Sequence, residues 1–136
     1  MWRTATLLVA VACSALATGL LIYLADRASA PPALIAPFAW GAAAPLFGVF
    51  GQWLPSFVHP FAFALLTAAA RPRSARPAYD ACAGWWAVNV LFEAGQRFHL
   101  FHGTFDPGDI AAATLGALAA AAVIRAAHSL EGQHAI

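Results

Sequence analysis

Residues 4–24 read TATLLVAVACSALATGLLIYL, a run of 21 residues without a charged side chain. At about 1.5 Å per residue, a helix of this length crosses a hydrocarbon core roughly 30 Å thick. The whole chain of 136 residues has a matching composition, with 62% hydrophobic and 10% charged residues. A soluble domain needs roughly a quarter of its residues charged. The stretch therefore predicts a first transmembrane helix, and the composition predicts an integral membrane protein.

A removable signal peptide is the alternative interpretation of this N-terminal run. Arg3 gives it a basic start, and residues 28–30 (ASA) resemble a cleavage site. The apolar region is too long for a signal peptide, however, and Pro31 and Pro32 would hinder cleavage directly after that site. A retained helix is the favoured interpretation.

Three further helices follow in an all-α, single-domain prediction for residues 1–136. We place the four spans at about 4–24, 56–70, 81–98 and 109–125, which together predict a four-helix transmembrane bundle. The uncharged segment 33–54 is interrupted by proline and glycine, so we predict an interfacial or re-entrant segment there. Trp40 and Trp53 favour this interpretation, since indole rings prefer the boundary between headgroups and water.

Arginine positions predict the orientation of these spans. Arg71, Arg73 and Arg76 form the only basic cluster, and with Arg3 and Arg125 they place five arginines on one side and two, Arg27 and Arg97, on the other. The side richer in arginine is cytoplasmic by the positive-inside rule. We therefore expect both termini in the cytoplasm.

Several classes of function are disfavoured by composition. The net charge is only +1 and lysine is absent, so we expect no nucleic-acid partner. Cys13 and Cys82 lack the spacing of a disulfide framework or a zinc site. His99 and His102 could hold a metal with an acidic neighbour, but an end-of-helix loop is more often simply solvated. We predict neither a metal nor a cofactor.

The third helix carries the most informative polar pattern. Asn89, Glu93 and Gln96 follow the i, i+4, i+7 spacing of one helix face, and Arg97 lies four residues after Glu93. An ionisable residue within a span usually faces a bundle interior or a wet cavity. Glu93 is therefore the leading candidate for a functional residue, although a purely structural interhelical hydrogen bond is the alternative. The other polar candidates that we expect near the outer half of the membrane are His59, His102, Asp106 and Asp109.

The fourth helix has a strong predicted start and a smooth face. Asp106 as N-cap, Pro107 at the first helical position and Asp109 in the first turn form a typical helix start. Capping alone is a sufficient explanation for both aspartates. Small residues at Ala112, Gly116 and Ala120 follow the small-xxx-small spacing that lets helix backbones approach closely.

These motifs together resemble the VanZ-like family of small membrane proteins. The residues that carry the resemblance are EAGQ at 93–96, GTFD at 103–106, Asp109-Ile110, Leu115-Gly116 and SFVHPFAF at 56–63. The family pattern has Asn where this chain has Ala113, and Asp-Lys where it has Pro55-Ser56. The resemblance implies a four-helix protein of the bacterial cell envelope, located in the inner membrane, with founding members linked to teicoplanin resistance. The matched positions are His59, Glu93, Gln96, Asp109 and Gly116.

Three functions remain open from the sequence. The first is a VanZ-like envelope protein that binds a lipid-linked precursor, a glycopeptide or another polar or amphiphilic ligand in an outer-facing cavity. The second is a non-catalytic accessory subunit that packs against lipids and other membrane subunits. The third is a small intramembrane enzyme with Glu93 as general base, His59 or His102 as its partner, and Arg97 binding an anionic group.

Overall fold

The computed structural model describes residues 2–26, 47–71 and 78–133, which form four α-helices. Three of these helices are long and apolar enough to cross a membrane, over Thr4–Leu24, Phe50–Ala70 and Pro107–Leu130. The all-α prediction and the prediction of membrane-spanning helices are confirmed to that extent. The helix bounds are α1 Trp2–Asp26, α2 Gly48–Ala70, α3 Tyr79–Arg97 and α4 Pro107–Gln133.

Helix α2 is longer than predicted, because it begins at Gly48 and not near residue 56. Residues 48–54 therefore belong to this helix and not to a separate interfacial segment, which corrects the prediction; residues 33–46 lie outside the described residues. Pro55 and Pro60 are both inside the helix. Each proline leaves a carbonyl four residues earlier without its usual donor, a loss that neighbouring helices in membrane proteins can offset.

Helix α2 packs against all three of the other helices. Its buried positions are mostly small, as at Ala62 and Ala64, while Leu65 fills the space between them and the neighbouring helices. The core is completed by buried residues of the other three helices. It includes Leu8, Ala12, Cys82, Ala120, Ile124 and Ala127.

Pairs of contacts define the relative directions of the helices. Trp53 bonds to Asp106 just before α4, and Phe57 touches Gly116 further along it, so α2 and α4 run parallel. Thr67, near the end of α2, bonds to Trp85 near the start of α3, so these two helices run antiparallel. The end of α3 therefore meets the beginnings of α2 and α4, which is where most of the polar residues lie.

Helix α3 ends in a Schellman motif that directs the chain towards α4. The N–H of Leu100 donates to the carbonyl of Gly95 at 2.8 Å, and the N–H of His99 donates to that of Gln96 at 3.1 Å. His99 has the left-handed φ of 58° that this motif requires at its turning residue. The turn brings Phe101 back onto Gly95, where a Cβ atom would lie only 2.3 Å from the phenyl ring. Glycine in the EAGQ motif is thus required by this packing.

Candidate functional site

A polar cavity of about 190 Å³ lies where the end of α3 meets the beginnings of α2 and α4. All four helices contribute to its wall. The lining residues are Tyr23 from α1, Gln52, Pro55, Ser56 and His59 from α2, Asn89, Phe92, Glu93 and Gln96 from α3, and Asp109 from α4. Five of the residues singled out in the sequence are therefore brought together at one site.

Glu93 is the most deeply placed polar residue of this cavity, with 9% of its surface exposed. Its Oε2 accepts a hydrogen bond of 3.3 Å from the backbone N–H of Asp106. The carboxylate thus contacts the start of α4 within the cavity that it shares with His59 and Asp109. This is the arrangement that the polar face of α3 predicts. The other oxygen of Glu93, Oε1, accepts no hydrogen bond from any described residue.

Asp106 caps α4 and also links it to α2. Its Oδ1 accepts from the N–H of Gly108 at 2.8 Å, as expected of an N-cap, and its Oδ2 accepts from the indole N–H of Trp53 at 3.0 Å. These two hydrogen bonds, with the indole first in importance, lower the pKa of Asp106 below its ordinary value. Gly108 lets the indole lie against the helix, since a Cβ there would come within 2.3 Å of Trp53.

Asp109 lies in the first turn of α4 and also bonds to α2. Its Oδ1 accepts a hydrogen bond of 2.7 Å from the hydroxyl of Ser56 on α2. Together with the Trp53 to Asp106 bond, this contact joins the first half of α2 to the start of the parallel helix α4. Helix capping and interhelical bonding are thus combined at one end of the molecule.

Helix α2 contributes more of the cavity wall than His59, which was the one site candidate predicted on this helix. Gln52, Ser56 and His59 repeat the i, i+4, i+7 spacing seen in Asn89, Glu93 and Gln96 of α3. This signal was present in the sequence, but a helix predicted to start near residue 56 excludes Gln52 from the pattern. Tyr23 carries no comparable signal, since its position depends on how α1 packs.

Some predicted site residues lie outside the cavity wall. Arg97, His99 and His102 are exposed, and within the described ranges the only ion pair joins Arg71 to Asp80 at the other end of α3. Asp80 therefore pairs with arginine, and α3 begins without a side-chain cap. Residues 2–26, 47–71 and 78–133 contain no group of three His, Cys, Asp or Glu side chains that could hold a metal ion.

The predicted small-residue face of α4 forms its contact with α2. Ala112, Gly116 and Ala120 are all buried. A Cβ atom at Gly116 would lie 2.2 Å from the backbone carbonyl oxygen of Phe57, so the two backbones touch at this point. The contact sets the distance between the α2 and α4 walls of the cavity.

The cavity combines carboxylates, amides and an imidazole with an aromatic rim, which suits binding of a compact polar group. His59 and Glu93 share the cavity, but no hydrogen bond joins them in the described structure. Comparison with protein-family models, with curated proteins and with solved structures gave no match to this chain.

Proposed function

We propose that this chain is a VanZ-like integral membrane protein of the bacterial cell envelope, and that its polar cavity binds the head group of an amphiphilic ligand. The observation that carries the proposal is the cavity itself, a polar site enclosed by helices of a membrane protein. Four of the five positions that match the family pattern line it: His59, Glu93, Gln96 and Asp109. Gly116, the fifth, sets the contact between two of its walls.

The size of the cavity supports an amphiphile over a whole drug-like molecule. Binding sites for drug-sized ligands occupy roughly 300–1,000 Å³, whereas this cavity measures about 190 Å³. It therefore accommodates a head group, and an attached chain would lie outside it along the apolar helix surfaces. Phe92 lies on the cavity wall and stacks on Phe101, which supplies an apolar edge where such a chain could leave.

The proposal includes an outer-facing cavity and four spanning helices. Helix α3 has a polar face, but its outward side carries exposed apolar residues such as Val88 and Leu91, as expected of a lipid-facing surface. If α3 spans the membrane, the arginine asymmetry predicts that its first residues, which lie beside Arg71, are on the cytoplasmic side. The cavity, at the opposite end of α3, then lies in the outer half of the membrane.

Native mass spectrometry of the purified full chain tests this function. We expect the wild-type protein to retain an amphiphile in a one-to-one ratio. Gln52→Trp introduces a large side chain into the cavity wall, and we expect this variant to lose the retained amphiphile. Phe50→Trp is the matched control, because Phe50 is 81% exposed and lies outside the cavity lining. Equal retention by both variants, or no specific retention by wild type, would contradict the proposal.

An accessory subunit is the second candidate, and one observation favours it. An open apolar groove of about 330 Å³ lies between α3 and α4, away from the polar cavity, with Trp86 and Leu118 in its wall. A helix of another membrane subunit would fit such a groove. Purification in mild detergent distinguishes the two functions, since an accessory subunit would be recovered with partners in a fixed ratio.

A further inference from the structure

We infer that the group held in the polar cavity is a primary ammonium group, an inference that rests on the proposed function. The juxtaposition that carries it is a set of three hydrogen-bond acceptors around one cavity, at Glu93 and Asn89 on α3 and at Asp109 on α4. The lining residues include no arginine or lysine, and His59 is the one basic group among them.

The charge of the lining favours a cation. Two carboxylates, Glu93 and Asp109, face the cavity, whereas arginine is absent from its wall and Arg97 is exposed outside it. Sites for phosphate or carboxylate groups normally supply arginine, lysine or several backbone N–H groups. A buried carboxylate beside a second carboxylate is instead stabilised by a positive charge between them. Phosphate and pyrophosphate head groups are therefore disfavoured.

The balance of donors and acceptors favours a primary amine among cations. Glu93 uses Oε2 for the Asp106 N–H, and Asp109 uses Oδ1 for the Ser56 hydroxyl, which leaves one oxygen of each carboxylate without a donor from the described residues. Asn89 donates its amide N–H to the Trp85 carbonyl at 2.8 Å, which leaves its Oδ1 as an acceptor. A primary ammonium group carries three N–H donors, one for each of these three acceptors.

The experiment measures thermal unfolding of the purified full chain in dodecyl maltoside, with amphiphiles of equal chain length added. We expect dodecylamine to raise the unfolding temperature in a saturable way, while dodecyl phosphate has no such effect. Dodecyltrimethylammonium has the positive charge but no N–H donors, so we expect it to bind at least tenfold more weakly. Equal binding of the trimethyl compound, or tighter binding of the phosphate, would overturn the inference.

Variants show whether the effect arises in the cavity. Glu93→Gln and Asp109→Asn keep an oxygen that can accept the existing hydrogen bond, and each should weaken dodecylamine binding about tenfold or more through loss of a charged acceptor. Asp80→Asn makes the same exchange at the exposed end of α3 and should leave binding unchanged. Unchanged binding in both cavity variants would also overturn the inference.

The same titrations separate the inference from the proposed function. If dodecyl phosphate binds and Gln52→Trp abolishes that binding, the cavity is an amphiphile site but does not select an ammonium group. If water-soluble ethanolamine stabilises the protein as strongly as dodecylamine does, the cavity binds an ammonium group but the ligand need not be an amphiphile. Failure of all four probes to stabilise the wild-type protein would reject both.

Discussion

Replacing Gly116 with alanine tests the contact that holds α2 against α4. A Cβ atom at this position would lie 2.2 Å from the carbonyl oxygen of Phe57 and 3.0 Å from its carbonyl carbon. Both contacts are with backbone atoms, so no side-chain rotation can relieve them. Because an ordinary contact begins near 3.4 Å, α4 must withdraw by about 1 Å, a gap that already removes much of the dispersion energy of the neighbouring atoms.

The expected cost is at the upper end of the range for overpacked sites, about 3 kcal/mol of unfolding free energy. Two other glycines supply graded controls. A Cβ at Gly19 would meet the methyl groups of Val58 at 3.3 Å, which can adjust, so Gly19→Ala should cost less than about 1 kcal/mol. A Cβ at Gly84 would meet nothing within 4 Å, and alanine there should stabilise α3 by up to about 1 kcal/mol.

The assay is unfolding of each purified variant in mixed micelles by increasing dodecyl sulfate, followed by helical circular dichroism and tryptophan fluorescence. We expect Gly84→Ala to be the most stable of the three variants and Gly116→Ala the least stable, with Gly19→Ala between them. Equal stability of Gly116→Ala and Gly84→Ala would refute it, because the two substitutions add the same methyl group to helix interiors and differ mainly in what that group meets.

Three further predictions concern pH, orientation and hydrogen bonding. Because the folded pKa of Asp106 is lowered from 3.8, its contribution to stability should be complete above that value and lost as pH falls through the lower folded pKa, and Asp106→Asn should reduce this acid dependence in unfolding titrations. In a background with both native cysteines replaced by alanine, a cysteine at Thr104 should react with an impermeant maleimide outside whole cells and one at Ala70 should not; the reverse would refute the orientation. Thr67→Val removes the hydroxyl that accepts from Trp85 at 2.9 Å and should cost about 0.6 kcal/mol in the same unfolding assay, with no change if the bond contributes nothing.

Local signals in the sequence were sufficient for much of the helical structure. The uncharged run at 4–24 predicted α1, and Asp106 followed by Pro107 predicted the start of α4, where the N-cap hydrogen bond to Gly108 is observed. Such signals depend on neighbours within one turn. The start of α2 was not predictable in the same way, because prolines that would end an isolated helix are accommodated here by packing against three other helices.

In the candidate site, too, local features could be predicted from the sequence and contacts between helices could not. The spacing of Asn89, Glu93 and Gln96 was enough to predict a shared polar face on α3. The residues that lie opposite that face could not be predicted, because they depend on which helices pack against α3 and on how those helices are shifted along their axes. Trp53 illustrates this limit, because an indole near a membrane boundary is expected to meet lipid headgroups, whereas here it bonds to a carboxylate 53 residues later in the chain.

The backbone contact at Gly116 gives the cavity one rigid wall and one adjustable wall. Helices α2 and α4 touch there without intervening side chains, so Ser56 and Asp109 are held at a constant separation. Helix α3 meets this pair through side-chain bonds, such as the 3.3 Å bond that Glu93 accepts from Asp106. We therefore expect a larger ligand to displace α3 before it separates α2 from α4, which the distance between Glu93 and Asp109 would report.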